Sequence, residues 1–128
     1  MNGRLTTSFD VENKIVELQK VLKLTTKAAV MRLAIGISLK MKTDPEIDYP
    51  EKDNDHGGSS YQKMTIFGDY DEIYKVMIIN HLDKEIDEKK IFPAIVNSHI
   101  ARGVNMLIEE YQLKGNYDKV VDTIFELL

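Results

Sequence analysis

The stretch KLTTKAAVMRLAIGISLK, residues 23–40, predicts the central helix of the fold. Its apolar side chains recur every three to four residues, which is the spacing of one face of an α-helix. Several of them are small, and small side chains allow helices to pack closely. We therefore expect a packed helix that ends near Met41. The predicted apolar face consists of Ala28, Ala29, Val30, Leu33, Ala34, Ile37 and Met41.

The N-terminal end of this helix is a candidate site for an anion. Thr25 or Thr26 stands where an N-cap residue belongs, and its hydroxyl can accept a hydrogen bond from the first turn. Lys23, Lys27 and Arg32 add positive charge near an end whose free amides already favour a phosphate. The alternative is that these basic side chains are simply solvated and that the helix serves only the core.

A strand and a helix are predicted before the central helix. Residues 4–9, RLTTSF, alternate along the chain as a short strand does. Asp10–Leu22 has apolar residues at helical spacing, with Asp10 as the expected N-cap. Strand, helix, turn and helix form the order of a ribbon–helix–helix unit, in which strands from two chains pair and polar strand residues face DNA. The outward set would be Arg4, Thr6 and Ser8.

The following segments predict a long loop, a strand and a further helix. Residues 43–60 are polar and contain prolines and glycines, as long loops do. Residues 61–67 predict a second short strand. Asp69 is the expected cap of a helix that runs to about Leu82. The apolar set of that helix is Ile73, Val76, Met77 and Ile79 or Asn80.

The C-terminal part predicts two more helices. A charged connector, residues 83–90, precedes a long helix within residues 91–112, where Pro93 fits the first turn. A last short helix is expected from Asn116 or Asp118. The sequence thus predicts a mainly α fold with minor β structure. We expect a single domain over residues 1–128, with a basic strand–helix–helix unit (1–42), a polar loop (43–60) and an acidic helical half (61–128).

Composition excludes several classes of function. The chain has 128 residues, of which 43% are apolar, so one domain with a substantial core is expected. It has no cysteine, which excludes a disulfide, a thiolate nucleophile and a cysteine-ligated iron–sulfur cluster on this chain. No apolar run approaches the length of a membrane span, and the opening MNGRLTTSFD lacks the apolar region of a secretory signal. We therefore expect a cytoplasmic protein without a membrane partner.

Charge is distributed unevenly along the chain. Residues 1–42 hold eight basic and three acidic side chains, whereas residues 43–128 hold nine basic and eighteen acidic ones. The net charge of −4 therefore hides a basic N-terminal third and an acidic remainder. Such asymmetry suggests that the N-terminal end meets a polyanion. Uneven charge also arises by chance in short chains, and that alternative stays open.

No catalytic constellation stands out, and we expect no metal and no cofactor. The chain lacks a Walker-type glycine loop and a GxGxxG motif after a strand. Asp53, Asp55 and His56 could suggest a metal site, but their spacing is not that of a calcium loop, and a solvated acidic loop is the alternative. Asp69 and Asp71 are further carboxylates, which capping a helix explains more simply.

His99 and Arg102 lie three residues apart and hence on one face of a predicted helix. Two interpretations apply to this pair. The first is that they bind an anion or the carboxylate of a partner. The second is that His99 is a hydrogen-bonding residue on the helix surface or half-buried.

Three stretches of the chain are informative together, namely RLTTS followed by KLTTKAAVMRLAIGISL, the central DHGGSSYQKMTIFGDYDEIYKVMI, and the C-terminal HIARGVNML. In this order they resemble one family, the DNA sulfur modification protein DndE. The resemblance implies a role in DNA phosphorothioation, in which sulfur replaces a non-bridging oxygen of the DNA backbone. It also implies three partner proteins, namely a cysteine desulfurase, an iron–sulfur sulfurtransferase-like protein and an ATPase.

The resemblance further implies that the protein binds nicked double-stranded DNA through lysines. It also implies a ribbon–helix–helix-like structure and a homo-oligomer such as a tetramer. Carried over by position, Lys20, Lys23 and Lys27 lie where the family has its basic patch, and Arg32 lies in the matching helix. With Arg4 of the predicted strand, these are the DNA contacts that we predict. Phosphate contacts of this kind give affinity but little sequence information.

Two other functions remain as alternatives. A metal-dependent nickase would need a carboxylate cluster or a positioned general base. A ribbon–helix–helix repressor or antitoxin would bind a specific operator through the strand residues. A non-catalytic DNA-binding subunit is the function that the sequence favours.

Overall fold

The computed structural model describes residues 4–45, 58–82, 91–114 and 122. They form a mainly helical fold with a small antiparallel sheet, as the sequence predicted. A 3₁₀ turn, Gly68–Tyr70, precedes the fourth helix, and a π-helical turn, Ile91–Ile95, precedes the fifth. The elements in chain order are β1 (Arg4–Thr6), α1 (Phe9–Val21), α2 (Lys27–Leu39), β2 (Ser60–Gln62), α3 (Lys63–Phe67), α4 (Asp71–His81) and α5 (Val96–Lys114).

Helix α2 is the centre of the core, as the opening stretch predicted. It packs most extensively against α5, and α1 packs against both. At the crossing, a Cβ atom on Gly103 would lie 1.9 Å from the backbone oxygen of Ala34, so only glycine allows the helices to approach this closely. Met41 lies beyond the end of α2 and is 42% exposed, so its predicted place on the buried face is wrong. The buried residues of α2 are Val30, Met31, Ala34, Ile35, Ile37 and Ser38.

The two strands of the sheet come from the same chain. β1 pairs antiparallel with β2, and Leu5 lies opposite Tyr61. In a ribbon–helix–helix protein, by contrast, the partner strand comes from a second chain. The ribbon–helix–helix-like detail therefore stays a prediction.

Three predicted helix starts differ from the structure. Ser8, rather than Asp10, caps α1 by accepting a hydrogen bond from the Val11 amide at 3.1 Å. Asp69 does not cap α4, because the 3₁₀ turn intervenes and the helix begins at Asp71 without a side-chain cap. Phe92 has extended backbone angles before Pro93, so α5 begins only at Val96.

The second strand is shorter than predicted, because residues 63–67 form α3 instead of continuing the sheet. The predicted helix from Asn116 or Asp118 falls outside the described residues, as do residues 46–57 of the predicted loop and the connector 83–90. In the part of the chain that the structure describes, no helix combines the length and the apolar character needed to cross a bilayer.

Candidate nucleic-acid interface

The turn between α1 and α2 holds a lysine in an unusual backbone conformation. Lys23 has φ +58°, in the left-handed region. The Leu24 amide donates to the carbonyl oxygen of Gln19 at 3.0 Å, and the Lys23 amide donates to that of Lys20 at 3.3 Å. These two bonds form a Schellman motif, in which glycine usually occupies the left-handed position. A side chain there costs about 1 kcal/mol, so Lys23 is not the residue that the turn itself prefers.

This turn presents positive charge beside the start of α2. Lys20 and Lys23 are exposed. Thr26 caps α2 by accepting a hydrogen bond from the Ala29 amide at 3.1 Å, which confirms one of the two predicted caps. The first turn of α2 contains no acidic residue that would offset the positive end of the helix dipole. The arrangement fits an anion from solvent.

Lys27, which the sequence placed among the DNA contacts, has an internal partner. Its Nζ lies 2.9 Å from Oε2 of Glu12, a residue that is only 8% exposed. Glu12 also accepts hydrogen bonds from the Thr7 hydroxyl at 2.8 Å and from the Tyr61 hydroxyl at 2.9 Å. Lys27 therefore compensates a buried carboxylate, and its role in the fold is established independently of DNA.

The surroundings of Glu12 keep it ionised. Burial by itself would raise the pKa of its carboxyl, but hydrogen bonds from Lys27, Thr7 and Tyr61 outweigh that effect and lower the pKa below its usual value. Burial and the same carboxylate raise the pKa of the Tyr61 hydroxyl. The cluster thus consists of one carboxylate, one ammonium and two neutral hydroxyls.

This cluster also anchors the chain where it returns to the sheet. The Ser59 amide donates to Oγ1 of Thr7 at 3.1 Å, and the Thr7 amide donates to the Ser59 carbonyl at 3.0 Å. A Cβ atom on Gly58 would lie 2.4 Å from the Thr7 backbone oxygen. Glycine at position 58 therefore allows the close approach that places Tyr61 over Glu12.

The two arginines among the predicted DNA contacts lie in different settings. Arg4 on β1 is exposed, and its Nε donates to the Ser60 hydroxyl on β2 at 2.8 Å. Arg32 is half-buried and donates to the carbonyl oxygen of Ile66 in α3 at 2.8 Å, so it ties α3 to α2. The contacts of all five predicted residues with DNA stay predictions.

The acidic candidates for a metal site are not brought together. Asp53, Asp55 and His56 lie outside the described residues. Asp71 forms an ion pair with Lys63 at 3.0 Å, and the hydrogen bond from that lysine lowers the pKa of the Asp71 carboxyl. Asp69 is exposed. Within residues 4–45, 58–82 and 91–114, no group of three histidine, cysteine or acidic residues could hold a metal ion.

Arg102 contacts the C-terminal end of α2. Its Nε donates to the Ser38 hydroxyl at 2.7 Å, and its Nη2 donates to the Ser38 carbonyl at 2.7 Å. Its Nη1 donates to the Thr43 carbonyl at 2.8 Å. The guanidinium thus satisfies carbonyl groups at and beyond the end of α2, where a positive charge also complements the helix dipole.

His99 is fully buried beside this contact and is hydrogen-bonded within the core. Its Nδ1 lies 2.8 Å from the Ser38 hydroxyl oxygen, which accepts from Arg102. We assign the Ser38 hydroxyl hydrogen to His99 Nδ1, which makes the ring neutral. Burial, with the positive charges of His81 and Arg102 in addition, lowers the pKa of His99 to about 4. His99 is thus a hydrogen-bonding residue, as the second interpretation held, but it lies fully inside the core and not on the helix surface or half-buried.

The sequence analysis did not identify the partners in two hydrogen-bond networks, one around Glu12 and one around Arg102. Glu12 gave one signal, because it lies between Val11 and Ile15 on the apolar face of α1, where an acidic residue requires a partner. Tyr61 and Ser38 gave no comparable signal. Their partners are 49 and 64 residues away along the chain, and only the fold brings them together.

The structure defines a small helical domain with a short sheet and exposed lysines at the α1–α2 turn. The model of one protein family, described as DNA sulphur modification protein DndE, matches residues 4–115. The chain belongs to this family, which places it in a DNA phosphorothioation system with several protein components. The comparison with curated proteins gave no match.

Proposed function

We propose that this protein is a non-catalytic subunit that binds the phosphate backbone of double-stranded DNA, nicked DNA included, in a phosphorothioation system. In this proposal it works as an oligomer and holds DNA for a desulfurase, an iron–sulfur sulfurtransferase-like protein and an ATPase. Several copies of one basic surface would then contact the same duplex.

The observation that carries the proposal is the conformation of Lys23. Its turn has the hydrogen bonds of a Schellman motif and would be more stable with glycine. A lysine at that position, at a cost in stability, favours a function of its side chain. Exposed Lys20 lies one helical turn earlier, and the capped start of α2 follows directly.

Lys23→Gly separates binding from stability. The substitution removes one positive charge and relieves the left-handed lysine, so we expect a protein that is about 0.5–1 kcal/mol more stable but binds DNA less tightly. The slope of log K against log salt should fall by about one, as it does when one phosphate contact is lost. Titrations of intact and nicked duplexes at several salt concentrations, with urea unfolding, measure both effects.

Lys75→Gln on α4 is the control, because it also removes one positive charge, but from an element other than this turn. We expect its salt slope to equal that of the wild type. Lys27 is unsuitable for this test, since its removal leaves Glu12 without its ion-pair partner. Unchanged affinity and salt slope in Lys23→Gly and in Lys20→Gln would show that the turn does not contact DNA.

Selection from random duplexes tests the kind of recognition. Backbone binding predicts weak sequence preference, because phosphates carry no direct sequence information. A sharp consensus that depends on Arg4, Thr6 and Ser8 would instead support a ribbon–helix–helix repressor.

A further inference from the structure

The β1–β2 sheet turns one face to solvent, and the side chains on that face are all polar. Side chains alternate between the two faces of a strand. The register of the sheet places Arg4 opposite Gln62 and Thr6 opposite Ser60. Three of these four side chains are exposed, and Thr6 is half-buried, whereas Leu5 on the other face is fully buried. The solvent face therefore offers one cation, one amide and two hydroxyls, and none of the four side chains is acidic.

The tertiary structure assembles this face from two distant segments. The sequence predicted an outward set of Arg4, Thr6 and Ser8, in a strand that pairs with a second chain. In the structure the Ser8 hydroxyl caps α1, and Ser60 and Gln62 join the face from β2 of the same chain. One chain thus contains a complete two-stranded ribbon with a polar outer face.

The sheet is held beside the start of α2. Tyr61, whose side chain leaves the opposite face of β2, donates its hydroxyl hydrogen to Oε2 of Glu12 at 2.9 Å. Nζ of Lys27, the first residue of α2, lies 2.9 Å from the same oxygen. One carboxylate therefore joins the sheet to a helix end whose free amides favour a phosphate. A duplex that contacts the start of α2 through a phosphate then has the sheet beside it.

The chemistry of the solvent face matches the base edges of the DNA major groove. This groove is wide enough for a two-stranded ribbon. Arginine there donates a pair of hydrogen bonds to O6 and N7 of guanine, and glutamine pairs with N6 and N7 of adenine. Nε of Arg4 donates to the Ser60 hydroxyl at 2.8 Å, which orients the guanidinium. A guanidinium held through Nε can still donate from both Nη groups, which are the pair that guanine accepts.

We propose that the solvent face of the β1–β2 sheet enters the major groove of DNA and contacts bases there through Arg4 and Gln62. The inference rests on the proposed function and deepens it, because it adds base contacts to a surface that holds phosphates. Each strand has three residues, so the contact covers about two or three base pairs. The expected preference is about ten-fold for each contacted base, against about 10³–10⁷-fold for a specific operator. It is therefore distinct from the sharp consensus of a repressor.

Duplexes that lack the purine N7 atom test the contact directly. Replacement by 7-deazaguanine or 7-deazaadenine removes one acceptor from the major groove and keeps base pairing and the phosphates. In the sequence that the wild-type protein selects from random duplexes, we expect each replacement to weaken binding about five-fold, with the same dependence on salt. Equal affinity for natural and 7-deaza duplexes would overturn the proposal.

Two variants assign the contacts to individual residues. Arg4→Ala should no longer respond to 7-deazaguanine but should still respond to 7-deazaadenine, and Gln62→Ala should show the reverse. Gln62→Ala removes no charge, so its salt slope should equal that of the wild type. Asn13→Ala is the matched control, because it removes an exposed amide from α1, and it should respond to both bases as the wild type does. Responses of the wild-type size in both sheet variants would contradict the assignment and overturn the proposal.

Salt dependence distinguishes failure of this inference from failure of the proposed function. If binding depends on salt and Lys23→Gly lowers the slope, but neither 7-deazapurine has an effect, the sheet contact is overturned and backbone binding stands. If the wild-type protein shows no salt-dependent binding of DNA, both proposals are overturned.

Discussion

The two ends of α2 are held by polar networks that differ in charge. At the N-terminal end, the Glu12 carboxylate lies against Lys27 and the Tyr61 hydroxyl. At the C-terminal end, the Arg102 guanidinium lies against Ser38, with neutral His99 beside it. Arg102 places a positive charge that complements the helix dipole at the C-terminal end, whereas Lys27 neutralises Glu12 at the N-terminal end.

The difference between the two ends shows what a basic residue near a helix end can mean. The sequence offered Lys27, Arg32 and Arg102 as possible anion contacts. The structure gives Lys27 a buried carboxylate, and it gives the two arginines backbone carbonyls. Lys20 and Lys23 are more exposed than these three, and the proposal gives them the DNA contact.

Removal of the cation from the C-terminal end should have the largest effect on stability. Arg102→Met deprives the Ser38 hydroxyl, the Ser38 carbonyl and the Thr43 carbonyl of their donor. We expect the free energy of unfolding to fall by about 3–4 kcal/mol, because the two buried Ser38 acceptors and the exposed Thr43 carbonyl lose charged hydrogen bonds. Urea unfolding at neutral pH measures it. A loss under about 1 kcal/mol would mean that water replaces the guanidinium.

Acidification should weaken the C-terminal end before the N-terminal end. His99 has a pKa of about 4 in the folded chain against an ordinary value of 6.5, so the unfolded chain takes up the proton first. The stability that neutral His99 contributes is complete above pH 6.5 and is lost as the pH falls to about 4. The shift corresponds to about 3 kcal/mol.

Glu12 contributes over a lower range. Its pKa is below the ordinary 4.5 in the folded chain, so its contribution is present above that value and is lost as the pH falls through the folded pKa. Urea unfolding between pH 7.5 and 3 should show two falls in stability. His99→Gln should remove the first and Glu12→Gln the second. A first fall of full size in His99→Gln would assign it to other groups.

Removal of the cation from the N-terminal end should have the smallest effect. Lys27→Met leaves Glu12 with its two hydroxyl donors, and the Lys27 side chain is 38% exposed, so water already screens the pair. We expect a loss of about 1 kcal/mol, together with a higher pKa of the Glu12 carboxyl. The chemical shift of the Glu12 side-chain carboxyl carbon, measured by NMR against pH, follows this pKa. A loss equal to that of Arg102→Met would show that the two ends are equally strong.

The spacing of apolar residues predicted helices α1, α2, α4 and α5, because helical periodicity depends only on residues three or four positions apart. The spacing of apolar residues in the stretch 23–40 identified the central helix, and Thr26 was one of the two expected caps. Helix starts were predicted less well, since serine and aspartate are both common N-cap residues. Ser8 caps α1 in place of Asp10, and the 3₁₀ turn before α4 displaces Asp69 from a cap position.

The candidate site was only partly predictable. Lys20 and Lys23 were named from the sequence and are exposed in the structure. The left-handed backbone of Lys23 was not foreseen, because a lysine gives no local sign of a position that glycine prefers. Burial of a residue also depends on which helix covers it. Hence Ile73, Val76 and Met77, which belong to the predicted apolar set of this helix, are exposed on α4.

The sequence by itself determined the helical class, the central helix, the basic N-terminal third and the resemblance to one family. These properties follow from residue types and from spacings of a few residues. Only the tertiary structure decided which charges are used inside the fold and which face solvent. The physical reason is that a charge is compensated by groups close in space. The partners of Lys27, Arg32 and Arg102 come from segments far apart in the chain.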